Sequence, residues 1–599
     1  MHVRDIIMMV LMSVAVTGYA QVEDIFLGAG NDSSITVTTS NNHQLYTGFY
    51  TASGEKTVNG DGMNAARMDA SRFLAQSTLS FNRAMIDQVL DIGPEAWIDT
   101  QFALPASYLT DTMIQIYDES KAIWVANGNL PENYTSMPNH VHLDYAWWQV
   151  SVRGQDQLRQ RVAEALSQIV VVSVNSDLSG KALGMSSYFD ILLEHAFGNY
   201  EDLMQDVTLN AGMGVWLTYV NNPATDTVEM TFPDENYARE NMQLFTIGLD
   251  MLNQDGTPIL DNEGDRIPTY DNDDIAQFAK IYTGLGYGDR IDDNDPYWGM
   301  GIYNADVSIP LIMYEDYHEP GPKYLLNGYI VPDGQTGLED ISEAITHLID
   351  HPNVGPFIGK QLIQRLVKSN PTPAYVGAVS AAFNDNGQGV RGDMKAVIKA
   401  ILMHPEARAC SWVQHPQQGR LQEPILRKTQ FAGLFNPIVP YPDKYWHYSY
   451  YDREYTDMHP LHSGSVFNFY SPDFAPNGAI SDQGLVAPEF GIYNSRTSIG
   501  YATQLYRWID SERLLQMSYY EESLSSPADL SVLLEYAKDP DALIDYLDNI
   551  LTHGQLTNQT RAVIKSTLSE FGLSINDLVS KVSLATYLIL LSPDYNIIK

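Results

Sequence analysis

The feature that most constrains this chain is a helical spacing of apolar side chains that recurs along most of its length. Within residues 157–172, Leu158, Val162, Ala165, Leu166 and Ile169 fall on one stripe. Ile341, Ala344, Ile345, Leu348 and Ile349 repeat the spacing, followed by Phe357, Ile358, Leu362, Ile363 and Leu366. Stripes of this period are buried by packing helix on helix, so the fold has to be mainly α. Further helices are predicted from residue 63 through ARMDASRFLAQSTL and over 82–90, 95–102, 374–383, 394–402, 424–435 and 493–509, with several more between 527 and 591. Two stretches break the pattern. Residues 251–270 carry turn signals at Asp255-Gly256 and Glu263-Gly264 between short extended runs, which predicts a β-hairpin or meander. Residues 437–478 form a long aromatic loop. The expected architecture is a large multi-helical globular domain over 65–520 with a small β-hairpin insertion, and a helical C-terminal extension over 521–599.

At 599 residues, with 44% apolar and 11% aromatic side chains, the chain has material for a large core. Residues 1–20 read as a secretory signal: Arg4, an apolar run from Ile6 to Val16 too short to span a bilayer, then Gly18-Tyr19-Ala20. Residues 21–64 read as a polar, flexible leader. The expectation is export, periplasmic or extracellular, after cleavage near Ala20, with no membrane span in the mature chain. A net charge of −39 argues against a nucleic-acid backbone or an anionic membrane as partner. The lone Cys410 rules out internal disulfides and cysteine-built zinc sites, and its neighbours fit a buried structural thiol.

Candidate chemistry starts in FPDENYARENMQLFTIG, residues 232–248. Glu235 and Arg239 lie four apart, as do Asn236 and Glu240, so each pair meets on one face of a predicted helix. Glu235 or Glu240 could act as a general acid or base, with Arg239 clamping an anion and Asn236 beside it. The same residues could instead cross-link the helix to Arg159, Arg161 and Glu164 as buried ion pairs. A second candidate is EDYHEPGPK, where a turn could aim His318 into a cleft. Asp316 and His318 are weak metal candidates there, and Lys323 a binding residue, although the spacing matches no metal signature. A turn histidine bonded to a carbonyl is the structural reading. His195 fits a satisfied histidine at a helix end. In the aromatic loop, Tyr445, Trp446, Tyr448 and Tyr450, with His447, His459 and His462 nearby, could stack on sugar rings, dock a partner or simply cover the core. Asp261, Glu263 and Asp265 explain themselves as turn residues. No GxSxG elbow, P-loop or helix-opening GxGxxG is present.

Separated segments carry a resemblance: RFLAQSTLSFNRAMIDQVLDIGPEAWIDTQFALP from Arg72, DQLRQRVAEALSQI from Asp156, HAFGNYEDLMQDVTL from His195, PDENYARENMQLFTIGL from Pro233, YHEPGPKYLLNG from Tyr317, HPNVGPFIGKQLIQRLV from His351 and SVFNFYSPDFAP from Ser465. Together, over roughly residues 65–510, they resemble the bacterial family filed as domain of unknown function 1800 (DUF1800). The resemblance implies an exported, helical protein without an established activity, with genes often beside those of a sulfatase-like exported family. Some relatives carry a WHNHF-like cluster where this chain has Leu166-Ser167-Gln168-Ile169-Val170, without histidine. No cofactor follows from these residues. Two functions are compatible with them: a partner- or glycan-binding protein working with the sulfatase-like protein, or an exported hydrolase or lyase on a polymer using Glu235 or Glu240 with His318.

Overall fold

Most helices begin where a short polar side chain can satisfy the first free backbone N–H groups. Asn82 accepts from Met85 N–H, Asn199 from Glu201, Thr372 from Tyr375 and Asp393 from Lys395 and Ala396, while Asp271, Thr336 and Ser574 form reciprocal capping boxes. The computed structural model describes residues 65–131, 136–291, 295–409, 418–435, 455–509 and 528–599. Residues 1–20 and 21–64, expected to be a signal and a leader, Cys410, and Tyr445, Trp446, His447, Tyr448 and Tyr450 lie outside them.

The fold is mainly α, as the spacing requires. Helices run Ala65–Ser77, Arg83–Ile92, Pro94–Phe102, Leu109–Ala126, His140–Arg153, Gln157–Ser167, Ala182–His195 and Tyr200–Leu209 in the first third, and Gly337–Ile349, Val354–Leu366, Pro373–Asn384, Met394–Met403, Pro424–Phe435, Ser495–Ile509, Asn558–Leu568 and Ile575–Leu591 later. Residues 251–270 form the expected small β insertion. Antiparallel bridges join Asp250 to Pro268, Leu252 to Pro258 and Leu260 to Arg266.

Two local readings change. The 157–172 helix stops at Ser167, and all its residues except Arg159 are buried, its polar side included. The helix in 232–248 is α only over Asn236–Glu240 and widens into a π-helix over Asn241–Thr246. There the Thr246 hydroxyl donates to Asn241 O at 2.6 Å, and the Asn241 amide donates to Tyr282 Oη at 2.8 Å.

The C-terminal helices share the apolar core with the rest of the described chain. Strand Ile597–Ile598 pairs antiparallel with Arg420–Leu421, Gln422 N–H donates to Asn596 O at 2.7 Å, and Tyr595 Oη donates to Arg427 O at 2.7 Å. The end of the chain is thereby fastened over the start of the Pro424–Phe435 helix, where the charged interior lies.

Candidate functional site

The acid–base residues expected from sequence do not come together. Glu235 and Arg239 form an i,i+4 pair at 3.4 Å that is well exposed on both sides. Asn236 donates to Thr218 Oγ1 at 3.4 Å. Glu240 turns inward, and burial raises its carboxyl above the usual range against the opposing charge of Arg239. The cross-link to Arg159, Arg161 and Glu164 is not made. Arg159 donates to Leu193 O at 2.8 Å, and Arg161 to the carbonyl of Arg365.

His318 is buried in a closed network. Its Nδ1 lies 2.9 Å from Thr283 O, its Nε2 lies 3.0 Å from Asp340 Oδ2, and Lys323 Nζ bridges Asp340 and, at 3.2 Å, His318 Nε2. Gln335 donates to the other Asp340 oxygen at 3.1 Å. Burial pushes the Asp340 carboxyl up, but hydrogen bonds from His318 and Lys323 and the ammonium charge outweigh it and hold it below its usual range. At this turn, the weak metal candidates Asp316 and His318 are placed apart in environment: Asp316 is exposed, and the Lys323 ammonium lies beside the buried imidazole. Lys323 is itself only 3% exposed and is engaged with Asp340 rather than presented to a ligand. His195 pairs with Asp206 at 2.7 Å at its helix end. In the β insertion, Asp261 accepts from Glu263 and Asp265 N–H groups, the turn role expected for it.

A buried polar assembly was not read as a site from sequence. Arg161, Glu164 and Gln168 come from one helix and its end, Arg365 from another, Arg420 and Glu423 from the segment beneath the C-terminal strand, and Tyr470 and Glu489 from the long connection; all are buried. Glu423 accepts from Gln168 Nε2 at 2.8 Å and from the Tyr470 hydroxyl, and its second oxygen lies 3.8 Å from Arg420. Arg420 also faces Glu489 at 3.6 Å, and Arg365 donates to Gln168 O at 2.8 Å. Arg427 packs over the Tyr501 and Tyr493 rings beside a cavity of about 10 Å³, lined also by Thr456 and Glu489. That space suits a water molecule and no substrate. Arg161 Nε and Nη1, Arg420 Nε and Nη2, and Glu489 Oε2 have no hydrogen-bond partner among the described residues. A usable signal existed: DQLRQRVAEALSQI, HPNVGPFIGKQLIQRLV and SVFNFYSPDFAP all contribute to this centre.

Burial raises both Glu164 and Glu489 to about 7. The fold therefore holds protons that the unfolded chain has already released. That stabilisation is full below about pH 4.5 and is lost as pH rises through 7. His142 and His351, lowered by burial to about 4, act in the opposite sense, but only below about pH 6.5. Between pH 6.5 and 8 we expect stability to fall by about 1 kcal/mol per glutamate. Thermal unfolding at the two pH values checks this, and Glu164→Gln with Glu489→Gln should flatten the dependence.

Two other arrangements have chemical potential. Asp144 on the His140–Arg153 helix meets His459 and His462 of the loop after residue 455, with one ligand atom from each within 4.8 Å of the others. On the surface, Asn221 clamps the 295–305 loop by donating to Met300 O at 3.1 Å and accepting from Gly299 N–H at 3.2 Å. Clamped there, Trp298 stacks on Tyr317 at 4.2 Å and 11°. Tyr297 and Tyr303 of the same loop are exposed, as is Tyr317, and Tyr303 reaches 89%.

These features define a helical protein built around a buried polyionic centre, with an aromatic, acidic surface. The chain belongs to the family described as protein of unknown function DUF1800, whose family model matches residues 72–597. The match takes in the C-terminal helices as well as the earlier segments. No curated protein and no solved structure matches the chain. Among the described residues no helix is long and apolar enough to cross a membrane.

Proposed function

We propose that the chain is an exported glycan-binding protein that holds neutral sugar rings on the Trp298/Tyr317 surface. The observation behind this reading is the stacked, partly exposed aromatic pair with Tyr297 and Tyr303 on the same clamped loop. Flat aromatic faces combine large apolar area with polar edges, which suits the alternating faces and hydroxyls of a sugar ring. Asp316, exposed and next to Tyr317 in the chain, supplies a carboxylate acceptor for hydroxyl groups. A net charge of −39 disfavours polyanionic polymers, so the glycan class is neutral.

The acid–base alternative has less behind it. His318 is tied to Lys323 and Asp340, Glu235 and Arg239 pair on the surface, and no hydrogen bond or ion pair joins either group to the other among the described residues. A sulfatase-like exported protein, implied by the family resemblance, would be a competing occupant of the same aromatic face.

The test is calorimetric titration of the mature chain with a panel of neutral oligosaccharides, beside Trp298→Ala and Tyr317→Ala. We expect saturable binding weakened at least about tenfold, equivalent to about 1.4 kcal/mol, in each variant. Binding of no neutral glycan, or affinity indifferent to both substitutions, would defeat the reading. Retention of the sulfatase-like protein on the same face would then put the partner in its place.

A further inference from the structure

We propose that Asp144, His459 and His462 form a binding site for one divalent transition-metal ion of the zinc class. The inference is independent of the glycan surface, because the two share no residue.

The argument begins with geometry. His459 Nδ1 and His462 Nδ1 are 3.2 Å apart, and His459 Nδ1 lies 3.7 Å from Asp144 Oδ1. Zinc bonds of about 2.0–2.1 Å in tetrahedral array place neighbouring ligand atoms about 3.3 Å apart. Two of the three ligand-atom separations thus already approach the edges of such a polyhedron, and one ligand atom from each residue lies within 4.8 Å of the others. The separation also suits a simple hydrogen-bond chain, which is what the test has to exclude.

The backbone is shaped for this convergence. Leu461, between the two histidines, adopts a left-handed conformation with φ 58°, uncommon and costly for a branched side chain. That turn brings both imidazoles to one side, with ring centroids 4.6 Å apart. The loop is fixed at the turn and just after it. Val174 N–H donates to Leu461 O at 2.9 Å, Asn175 Nδ2 to His462 O at 2.8 Å, and Ser173 Oγ to Ser463 O at 2.8 Å. Asp144 comes from a rigid helix, so the site would join that helix to the loop.

Donor chemistry selects the ion. Two imidazole nitrogens and one carboxylate oxygen suit zinc and its first-row neighbours, whereas calcium and magnesium favour all-oxygen sets. Pro460 O lies 2.7 Å from His462 Nδ1 and 3.3 Å from His459 Nδ1. Metal binding through Nδ1 requires its lone pair, so each neutral ring would carry its proton on Nε2 and give up the Pro460 contact. Asp144 and His459 are buried while His462 is half-buried. Three protein ligands also leave a coordination position for water.

The experiment uses the mature chain stripped with a chelator and titrated with Zn²⁺ against a chromophoric competitor, followed by Co²⁺ for its visible spectrum. Asp144→Asn, His459→Gln and His462→Gln are compared with Asp261→Asn, a control in the exposed turn. Near-ultraviolet circular dichroism establishes that each variant is folded. Because His462 is half-buried, His462→Gln is the variant least exposed to folding failure. We expect one Zn²⁺ per chain, Co²⁺ bands of a low-symmetry N/O site, and affinity lowered at least about tenfold in the three ligand variants alone. Absence of stoichiometric Zn²⁺, or equal affinity in wild type and folded His462→Gln, overturns the proposal. A loss that follows Asp261→Asn instead would also overturn it.

Discussion

Glu423→Ala is expected to destabilise the fold by about 3–5 kcal/mol, the range for breaking a buried ion network from one side. Glu423 is 0% exposed and stands among Arg161, Arg365 and Arg420. Its loss removes the acceptor for Gln168 and Tyr470 as well as a carboxyl group that faces the Arg161, Arg365 and Arg420 guanidinium groups. The other two carboxyls compensate poorly, because Glu164 and Glu489 are raised to about 7 and carry only part of a charge at neutral pH. Thermal and urea unfolding of the variant, with activity-independent readouts such as circular dichroism, measures the loss. Glu423→Gln keeps the shape and one acceptor and should fall between wild type and alanine. A midpoint unchanged in Glu423→Ala would show that water reaches this centre freely and that the network is not a structural requirement.

Asp340→Asn should cost a similar amount, again about 3–5 kcal/mol, by stranding the buried Lys323 ammonium. Lys323 and Asp340 are 4% and 1% exposed at their side chains, so solvent cannot replace the lost carboxylate. The effect has a definite pH signature. The depressed Asp340 carboxyl contributes stability that is present above its unfolded value of about 4 and is lost as pH falls through its lower folded value. The gap between wild type and Asp340→Asn should therefore hold near neutrality and narrow in acid. A constant gap down to the acid transition would mean that the asparagine acts through packing alone.

Much of the secondary structure was legible because it depends on local chemistry. The Pro424–Phe435 helix has the bounds its sequence implies, and Arg83–Ile92 begins just after Asn82, whose side chain caps it. The meander at 251–270 follows from turn residues that need no distant partner. The site was less legible. His318, Lys323 and the 235–240 cluster were noticed because they are close in sequence, yet the partner that decides the chemistry of His318 and Lys323, Asp340, lies 22 residues beyond His318. Glu423 meets Gln168 across 255 residues, and Asp144 meets His459 across a comparable span. Neither distance leaves a trace in local spacing.

Apolar period, cap residues and turn chemistry in the sequence alone determined that this chain is helical, where many of its helices begin, and where a small β insertion interrupts them. Those properties follow from side chains within a few residues of one another. Only the tertiary structure decided what became of the polar faces. Arg161 and Glu164 lie off the apolar stripe and were candidate ion-pair partners of the 235–240 helix, but the Gln157–Ser167 helix is enclosed instead by Arg365, Glu423 and Tyr470 from remote segments. A charged side chain stays in water unless a partner replaces its hydration, and whether such partners arrive depends on how distant elements pack.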